Sequence, residues 1–341
     1  MIPATSPPIQ TLVPSVAAEP WQQAWREAIT DPNALLQALG LNSDQVGYSL
    51  AAHQTFCLRV PAGFLARMRY GDPNDPLLRQ VLPIHAEMQS VEGFLTDAVG
   101  DGAATIDPGI LQKYHGRALL IATGSCAIHC RYCFRRHFAY ADNNAARNRW
   151  ASALATISAD PQIEEVLLSG GDPLSLSTAK LAQLTDGLQA VPHLRRLRLH
   201  SRLPIVLPER IDAGLIDWLS RLPWPVAFVL HANHPNEFDA SVDAAVGKIR
   251  SSGAHVFNQA VLLKGINDDV DTLATLCTRG FSAGVIPYYI HQLDHVAGTG
   301  HFAVSDERAR ALHAALRARL PGYLVPTLVR EMAGQTSKTP L

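Results

Sequence analysis

Two hydrophobic patterns divide the chain. From residue 117 onward, short apolar runs of strand length recur at 118–122, 165–169, 197–200, 226–231, 255–263 and 285–290. The stretches between them read as helices over 148–158, 178–190, 211–220, 237–250 and 270–278, with one more, 306–320, after the last strand. Strands alternating with helices at intervals of about 30 residues predict βαβ units and a parallel sheet. Six such units suit an open doubly wound sheet as well as a barrel, and periodicity does not choose between them.

Ahead of residue 117 the pattern is different. Residues 1–20 are rich in Pro, Ser and Thr and read as loose. A helix is predicted over 19–28, with Trp21 and Trp25 one turn apart. Asp31 and Pro32 read as the cap and first residue of a helix that closes at Gly40. Short helical pieces follow at 61–68 and 77–82, separated by the turn cluster Gly71-Asp72-Pro73-Asn74-Asp75-Pro76. Near the other end, 323–329 is apolar and strand-like. The chain therefore divides into a mostly helical N-terminal region (1–110), an α/β core (111–320) and a C-terminal strand and loop (321–341).

Composition narrows the function classes. Apolar residues make up 47% of the 341, enough for a large buried core, and the net charge is −1. That balance gives no electrostatic case for nucleic acid or an anionic membrane surface. No apolar run approaches the ~20 residues of a membrane span. The start, Met1-Ile2-Pro3-Ala4-Thr5-Ser6-Pro7-Pro8, does not read as a secretory signal. Three of the five cysteines are clustered, which is no disulfide framework and suits a reducing cytoplasm. Only five residues are lysines: Lys113, Lys180, Lys248, Lys264 and Lys338.

The clustered cysteines are Cys126, Cys130 and Cys133, spaced x3 and x2 on the loop after the first core strand. Three thiolates so close can grip a metal centre. An iron–sulfur cluster takes cysteine sulfur; structural zinc needs a fourth protein ligand, which His129 or His137 would supply. In α/β sheets ligands gather at the carboxyl ends of strands, and polar residues recur there in all six units. Gly170-Gly171-Asp172-Pro173 follows the second strand, Ser201-Arg202 the third and His231 the fourth. Asn258 and Gln259 lie in the fifth. Tyr288, Tyr289, His291, Gln292 and Asp294 lie at or beyond the end of the sixth. The two glycines permit close backbone approach to a ligand, or merely make a turn. Arg135 and Arg136 offer guanidinium forks for a carboxylate, or a solvated basic pair. Lys113, Tyr114 and Arg117 sit in a basic loop before the first strand. Lys338 reads as a tail residue by position alone.

The cysteine spacing resembles the radical S-adenosylmethionine (SAM) signature. The continuation Cys133-Phe134-Arg135-Arg136-His137-Phe138 is similar to the lysine 2,3-aminomutase family, and the resemblance runs from about residue 59 to 341. It implies a partial (β/α)6 TIM-type barrel with a mostly helical N-terminal extension and a short C-terminal segment. It implies a [4Fe–4S] cluster on Cys126, Cys130 and Cys133, with SAM on the remaining iron. Gly170, Gly171, Asp172, Ser201, His231 and Gln259 would contact cofactor. Lys113, Tyr114 and Arg117 would line a pyridoxal 5′-phosphate (PLP) site, and Lys338 would hold PLP covalently, with Lys264 as the fallback. Arg135 would take the carboxylate of L-lysine, and Asp294 and Glu331 its distant ammonium. A glutamate-type substrate would need a cation there instead.

Phrases such as 71–82, 133–138 and 201–208, and the short C-terminus, resemble the branch that supplies (R)-β-lysine to elongation factor P through a separate ligase. A reductant protein such as flavodoxin or ferredoxin is implied, and a homo-oligomer is left open. The alternatives are a catabolic lysine or glutamate 2,3-aminomutase, a radical SAM enzyme without PLP, and a zinc or iron–sulfur binding module.

Overall fold

A computed structural model describes residues 20–143 and 150–341. Residues 1–19 of the segment read as loose, and the first two residues of the helix predicted over 148–158, lie outside the described residues. Among the described residues ten strands form one sheet in chain order: β1 (Thr105–Asp107), β2 (Ile110–Tyr114), β3 (Arg117–Thr123), β4 (Glu165–Gly170), β5 (Arg196–Ser201), β6 (Val226–Leu230), β7 (His255–Leu262), β8 (Ile286–Gln292), β9 (Thr327–Arg330) and β10 (Thr339–Pro340). Strands β3 to β9 are parallel, each beside the next. The antiparallel hairpin β1–β2 extends one edge and β10 the other.

The order is open, with no ladder joining β10 to β1. Side chains bridge the gap instead. The Tyr114 hydroxyl on β2 donates to Glu331 just beyond β9 at 2.6 Å, and Lys113 Nζ lies 3.7 Å from the same carboxylate. The sheet therefore curls into a partial barrel, and its two margins meet through charged and polar groups.

Two features differ from the sequence reading. The segment 113–117, read as a loop, is a β-hairpin: Tyr114 pairs with Arg117, and His115-Gly116 makes the turn with Gly116 at φ +74°. The absence of a Cβ makes that backbone inexpensive. The region expected to be mostly helical also contains β1. The strand-like run near 323–329 becomes a seventh parallel strand, β9.

The connecting helices follow their caps. Ser177, Asp212, Asp239, Asp269 and Ser305 each accept a backbone N–H from the first turn of the helix they start. Such a cap contributes about 1 kcal/mol. Thr178–Gln189 and Asp306–Arg319 lie within a residue of the prediction, whereas Val270–Ser282 runs four residues longer. In the N-terminal layer the helix Pro32–Ala38 is capped by Asp31, but 61–68 shrinks to Ala62–Leu65 and 77–82 to the 3-10 turn Leu78–Gln80. Apolar burial makes this layer one body with the barrel. Leu35, Phe64 and Leu78 share a core cluster with Leu120, Leu168 and Phe228.

Charge also joins layer to barrel. Glu87, in the layer, accepts from Arg131 Nε at 2.9 Å and Nη2 at 2.5 Å, and from Arg136 Nη2 at 2.8 Å. All three side chains are buried. Removing one partner of such a group leaves an uncompensated buried charge, which costs about 3–5 kcal/mol. We expect Glu87→Ala to lower stability by about that amount in denaturant unfolding, and Glu87→Gln to lower it less. A change under about 1 kcal/mol for the alanine variant would show that the carboxylate is not what balances the two guanidinium groups.

Candidate active site

The inward faces of the strands do not fill the barrel. Burial alternates along β5 and β7, and the alternate residues Arg198 and His200 on β5, and Gln259 and Val261 on β7, face a cavity of about 370 Å³. That size is in the range of small-molecule sites. Of the residues singled out in the sequence, Cys126, Cys130, Cys133, Lys113, Tyr114, Arg117, Arg135, Gly170, Gly171, Asp172, Ser201, His231, Gln259, Asp294, Glu331 and Lys338 line this one cavity. Lys264, His129, His137 and Arg136 do not.

The cysteine loop leaves β3 and is held from several sides. Arg131, immediately after Cys130, is fully buried on Glu87. Arg135 Nε donates to Asp101 Oδ2 at 2.7 Å. Gly170 and Gly171 give the loop its bed. A Cβ on Gly171 would lie 2.5 Å from the Ser125 carbonyl oxygen, and one on Gly170 2.8 Å from that of Thr123. The sequence left these glycines either approaching a ligand closely or making a turn, and both line the cavity. Their missing side chains admit the cysteine loop's own backbone, bonded through Gly171 N–H to Thr123 O and Asp172 N–H to Ser125 O, both at 2.8 Å.

Burial pushes the Cys126 thiol well above its ordinary range, reinforced by Asp172 and the other two thiols, and pushes Cys133 up to about 11, reinforced by Cys130. Three clustered thiolates need a cationic centre to ionise together. Neither candidate zinc histidine is arranged as the fourth ligand. His129 Nδ1 meets the Cys57 carbonyl at 2.8 Å, and His137 Nε2 the Ala297 carbonyl at 3.1 Å. Among the described residues no three His, Cys, Asp or Glu side chains form a single-ion site. In a cluster each cysteine takes its own iron, so the sulfurs need not converge on one point.

Asp172 and Ser201 bind one another. The serine hydroxyl donates to Asp172 at 2.8 Å, and Asp172 also accepts the backbone N–H groups of Leu174, Arg202 and Leu203. The pair joins the ends of β4 and β5. Burial still pushes the Asp172 carboxyl up to about 6, against those hydrogen bonds. His231 Nε2 lies 3.2 Å from His200 Nδ1. Burial brings His231 down to about 4, helped by Arg202 and Lys338, so it is neutral at pH 7.

The tail lysine is held inside the site. Lys338 Nζ lies 2.5 Å from His291 Nε2 and 3.1 Å from Glu331 Oε2. Burial and the Lys338 charge bring His291 down to about 3. A neutral His291 presents a lone pair to the lysine. Burial would raise the Glu331 carboxyl, but Lys338, Tyr114 and Lys113 together hold it below its usual value. Asp294 has no such support. Burial pushes it up to about 7, with Lys338 opposing and Glu331 assisting.

Sequence reasoning missed Asp101, Ser169, Tyr140, Arg198 and His200. The last two had a signal, since Arg-Leu-Arg-Leu-His-Ser alternates polar and apolar residues in a strand otherwise expected to be buried. Asp101 had none; it matters only through Arg135 and Lys113, whose ammonium lies 2.7 Å from its Oδ1.

Six cations face the cavity (Lys113, Arg117, Arg135, Arg198, Arg202 and Lys338) against three carboxylates (Asp172, Asp294 and Glu331). The surplus suits an anionic ligand such as a phosphate ester. Among the described residues, Gln259 Oε1, His200 Nε2 and Asp294 Oδ1 are buried without a hydrogen-bond partner, a cost that a polar ligand would remove. Three thiols, unpartnered polar atoms and a reachable amine fit a cluster, SAM and PLP together.

The family described as a 4Fe-4S single cluster domain matches residues 115–193. The chain is 45% identical to an L-lysine 2,3-aminomutase of Escherichia coli (strain K12), over 95% of this chain and 94% of that one. It is 32% identical to an L-lysine 2,3-aminomutase of Clostridium subterminale, over 94% of this chain and 77% of that one. Among solved structures, a radical SAM methyltransferase from Sphaerobacter thermophilus aligns with TM-score 0.46 and 19% identity, over 66% of this chain and 72% of that one.

The glycine contact gives a direct test. Gly171→Ala should fold but reconstitute with much less iron and sulfide, because the added methyl displaces the loop carrying Cys126. Unchanged iron content would mean that the loop tolerates the displacement.

Proposed function

Because this chain belongs to the L-lysine 2,3-aminomutase family of radical SAM enzymes, and is therefore an isomerase, we propose that it uses PLP beside SAM and its cluster to convert L-α-lysine into (R)-β-lysine for the modification of elongation factor P. The observation that carries this reading is one cavity holding three thiols, a lysine, an arginine and two further carboxylates. An arginine for a carboxylate and two acids for a distant ammonium together describe lysine. The phrases 71–82 and 201–208 support the elongation factor branch, with a flavodoxin or ferredoxin as reductant and a cytoplasmic setting. Among the described residues, no helix is long and apolar enough to cross a membrane.

Cys126, Cys130 and Cys133 would hold the cluster, Lys338 would hold PLP, and Arg117, Lys113 and Tyr114 would face its phosphate. Bound together, these groups supply a 5′-deoxyadenosyl radical and a conjugated ring that spreads unpaired electron density while nitrogen moves from C2 to C3. The chain supplies orientation. Asp101 fixes one edge of the Arg135 fork and so directs the guanidinium that takes the substrate carboxylate. Asp294 and Glu331 receive the side-chain ammonium at the other end. His291 Nε2 accepts a hydrogen bond from Lys338 Nζ and holds it in the cavity. Leu119, Leu167 and Val261 on the inward strand faces exclude water from the reacting atoms.

Anaerobic incubation with L-lysine, SAM, PLP and a reductant, followed by chiral analysis, should yield (R)-β-lysine. Conversion of L-glutamate alone would overturn the substrate. Lys338→Ala should keep its iron and lose bound PLP absorbance; an unchanged band would move the attachment to another of the five lysines.

The pH dependence follows from Asp294. Its carboxyl sits at about 7 without substrate, so it is largely protonated below that pH. A bound ammonium favours the ionised form, so binding expels the proton. Lysine affinity should therefore fall as pH drops from about 8 to about 6. Calorimetry in buffers of different ionisation heat should register proton release, and Asp294→Asn should abolish it.

A further inference from the structure

Arg202 has no part in the reading above, although it stands at the end of β5 and lines the cavity. Its Nη1 donates to Cys130 Sγ at 2.7 Å. Its Nη2 donates to Gln80 Oε1 at 2.6 Å and to Glu237 Oε2 at 2.9 Å. The side chain is 7% exposed, and the rings of Phe64 and Tyr132 lie 5.4 and 5.5 Å from its guanidinium carbon. Glu237 is fully buried, accepts the Asn233 and His234 N–H groups, and is also bonded by Gln80. The guanidinium is therefore fixed by three parts of the fold: the end of β5, the N-terminal layer through Gln80, and the turn after β6 through Glu237.

We propose that Arg202 is a positioning residue for the cluster's electronics, setting how readily the centre on Cys130 accepts an electron by holding one cationic hydrogen-bond donor against that cysteine's sulfur. Reduction by one electron adds negative charge to the iron–sulfur unit and its ligand sulfurs; the electron comes from the reductant protein and no proton need move. A fixed cation at hydrogen-bond distance stabilises the reduced state more than the oxidised state and raises the potential. Burial makes the effect larger, because little water screens it. Glu237 opposes it, since its carboxylate partly cancels the same charge. The cysteine loop carries three other arginines, but each has been described as serving a carboxylate: Arg131 and Arg136 at Glu87, Arg135 at Asp101.

The test is an anaerobic redox titration of the reconstituted holoenzyme followed by the electron paramagnetic resonance of the reduced cluster. Arg202→Gln should move the midpoint to more negative potential, and Arg202→Lys should lie between it and the unmodified protein. Glu237→Gln should move the midpoint the other way. Arg221→Gln, on an exposed helix end, should leave it unchanged. Opposite shifts at equal iron and sulfide content are not what loosened packing would produce. Coincident midpoints for the Arg202 variants and the unmodified protein would overturn the proposal.

A second measurement needs no substitution and covers variants that fail to load. In protein labelled with 15N at the arginine guanidinium, pulsed resonance of the reduced cluster should show a weak 15N coupling. Its absence would place no guanidinium beside the cluster and would overturn the proposal independently.

Discussion

An alternating row of charges closes this molecule. Arg135 Nε meets Asp101 at 2.7 Å, Asp101 meets Lys113 at 2.7 Å, Lys113 meets Glu331 at 3.7 Å, and Glu331 meets Lys338 at 3.1 Å. The row starts on the cysteine loop, crosses the gap between β2 and β9, and ends on the tail lysine. No backbone ladder spans that gap, so these side chains set where the tail lies relative to the loop. Burial alone would raise the Asp101 carboxyl, but Arg135 and Lys113 override it and hold it below its usual value. Such a row adds little net stability against apolar packing, because desolvation offsets the attraction. What it supplies is register: each inner member has two partners of opposite sign, and displacing one uncovers a neighbour.

The cavity inside this row is built at a cost. A barrel interior normally fills with apolar side chains in layers. Here the inward positions carry Arg198, His200, Gln259 and His291, and among the described residues His200 Nε2 and Gln259 Oε1 are buried without partners. Asp294 pushed up to about 7 and His231 down to about 4 have the same origin, since burial makes each group resist carrying charge. Ligands that complete these hydrogen bonds stabilise the folded state by mass action. Binding and folding are therefore linked here, through the residues that line the cavity.

What was legible in the sequence followed from local rules. The parallel strands and their helices could be read because apolar runs and capping residues such as Ser177 and Asp269 are local signals. The β1–β2 hairpin escaped because its strands are short and Gln112-Lys113 breaks the apolar pattern. The cavity residues were recoverable because strand ends gather ligands, and resemblance supplied distant members such as Lys338 and Glu331. What the glycines approach was not legible, for a physical reason. A missing Cβ states only that something comes close, and the partner, the Ser125 backbone, is remote in sequence. Asp101 was invisible because a carboxylate's importance here lies in which cations the fold brings to it.

The arginines around the cysteines show how far residue type falls short of role. Arg131, Arg135, Arg136 and Arg202 are chemically identical and close in space. Arg131 and Arg136 share Glu87 and fasten the loop to the N-terminal layer. Arg135 spends one edge on Asp101 and faces the cavity with the rest. Arg202 reaches a sulfur. The division follows from where the carboxylates are: each buried guanidinium is committed by the acid that meets it, and Glu237 leaves one arm of Arg202 over. The acids at 87, 101 and 237 come from the N-terminal layer, the segment before β1 and the turn after β6. Acids outside the cavity lining thus decide which guanidinium faces it and which reaches the cysteine sulfur.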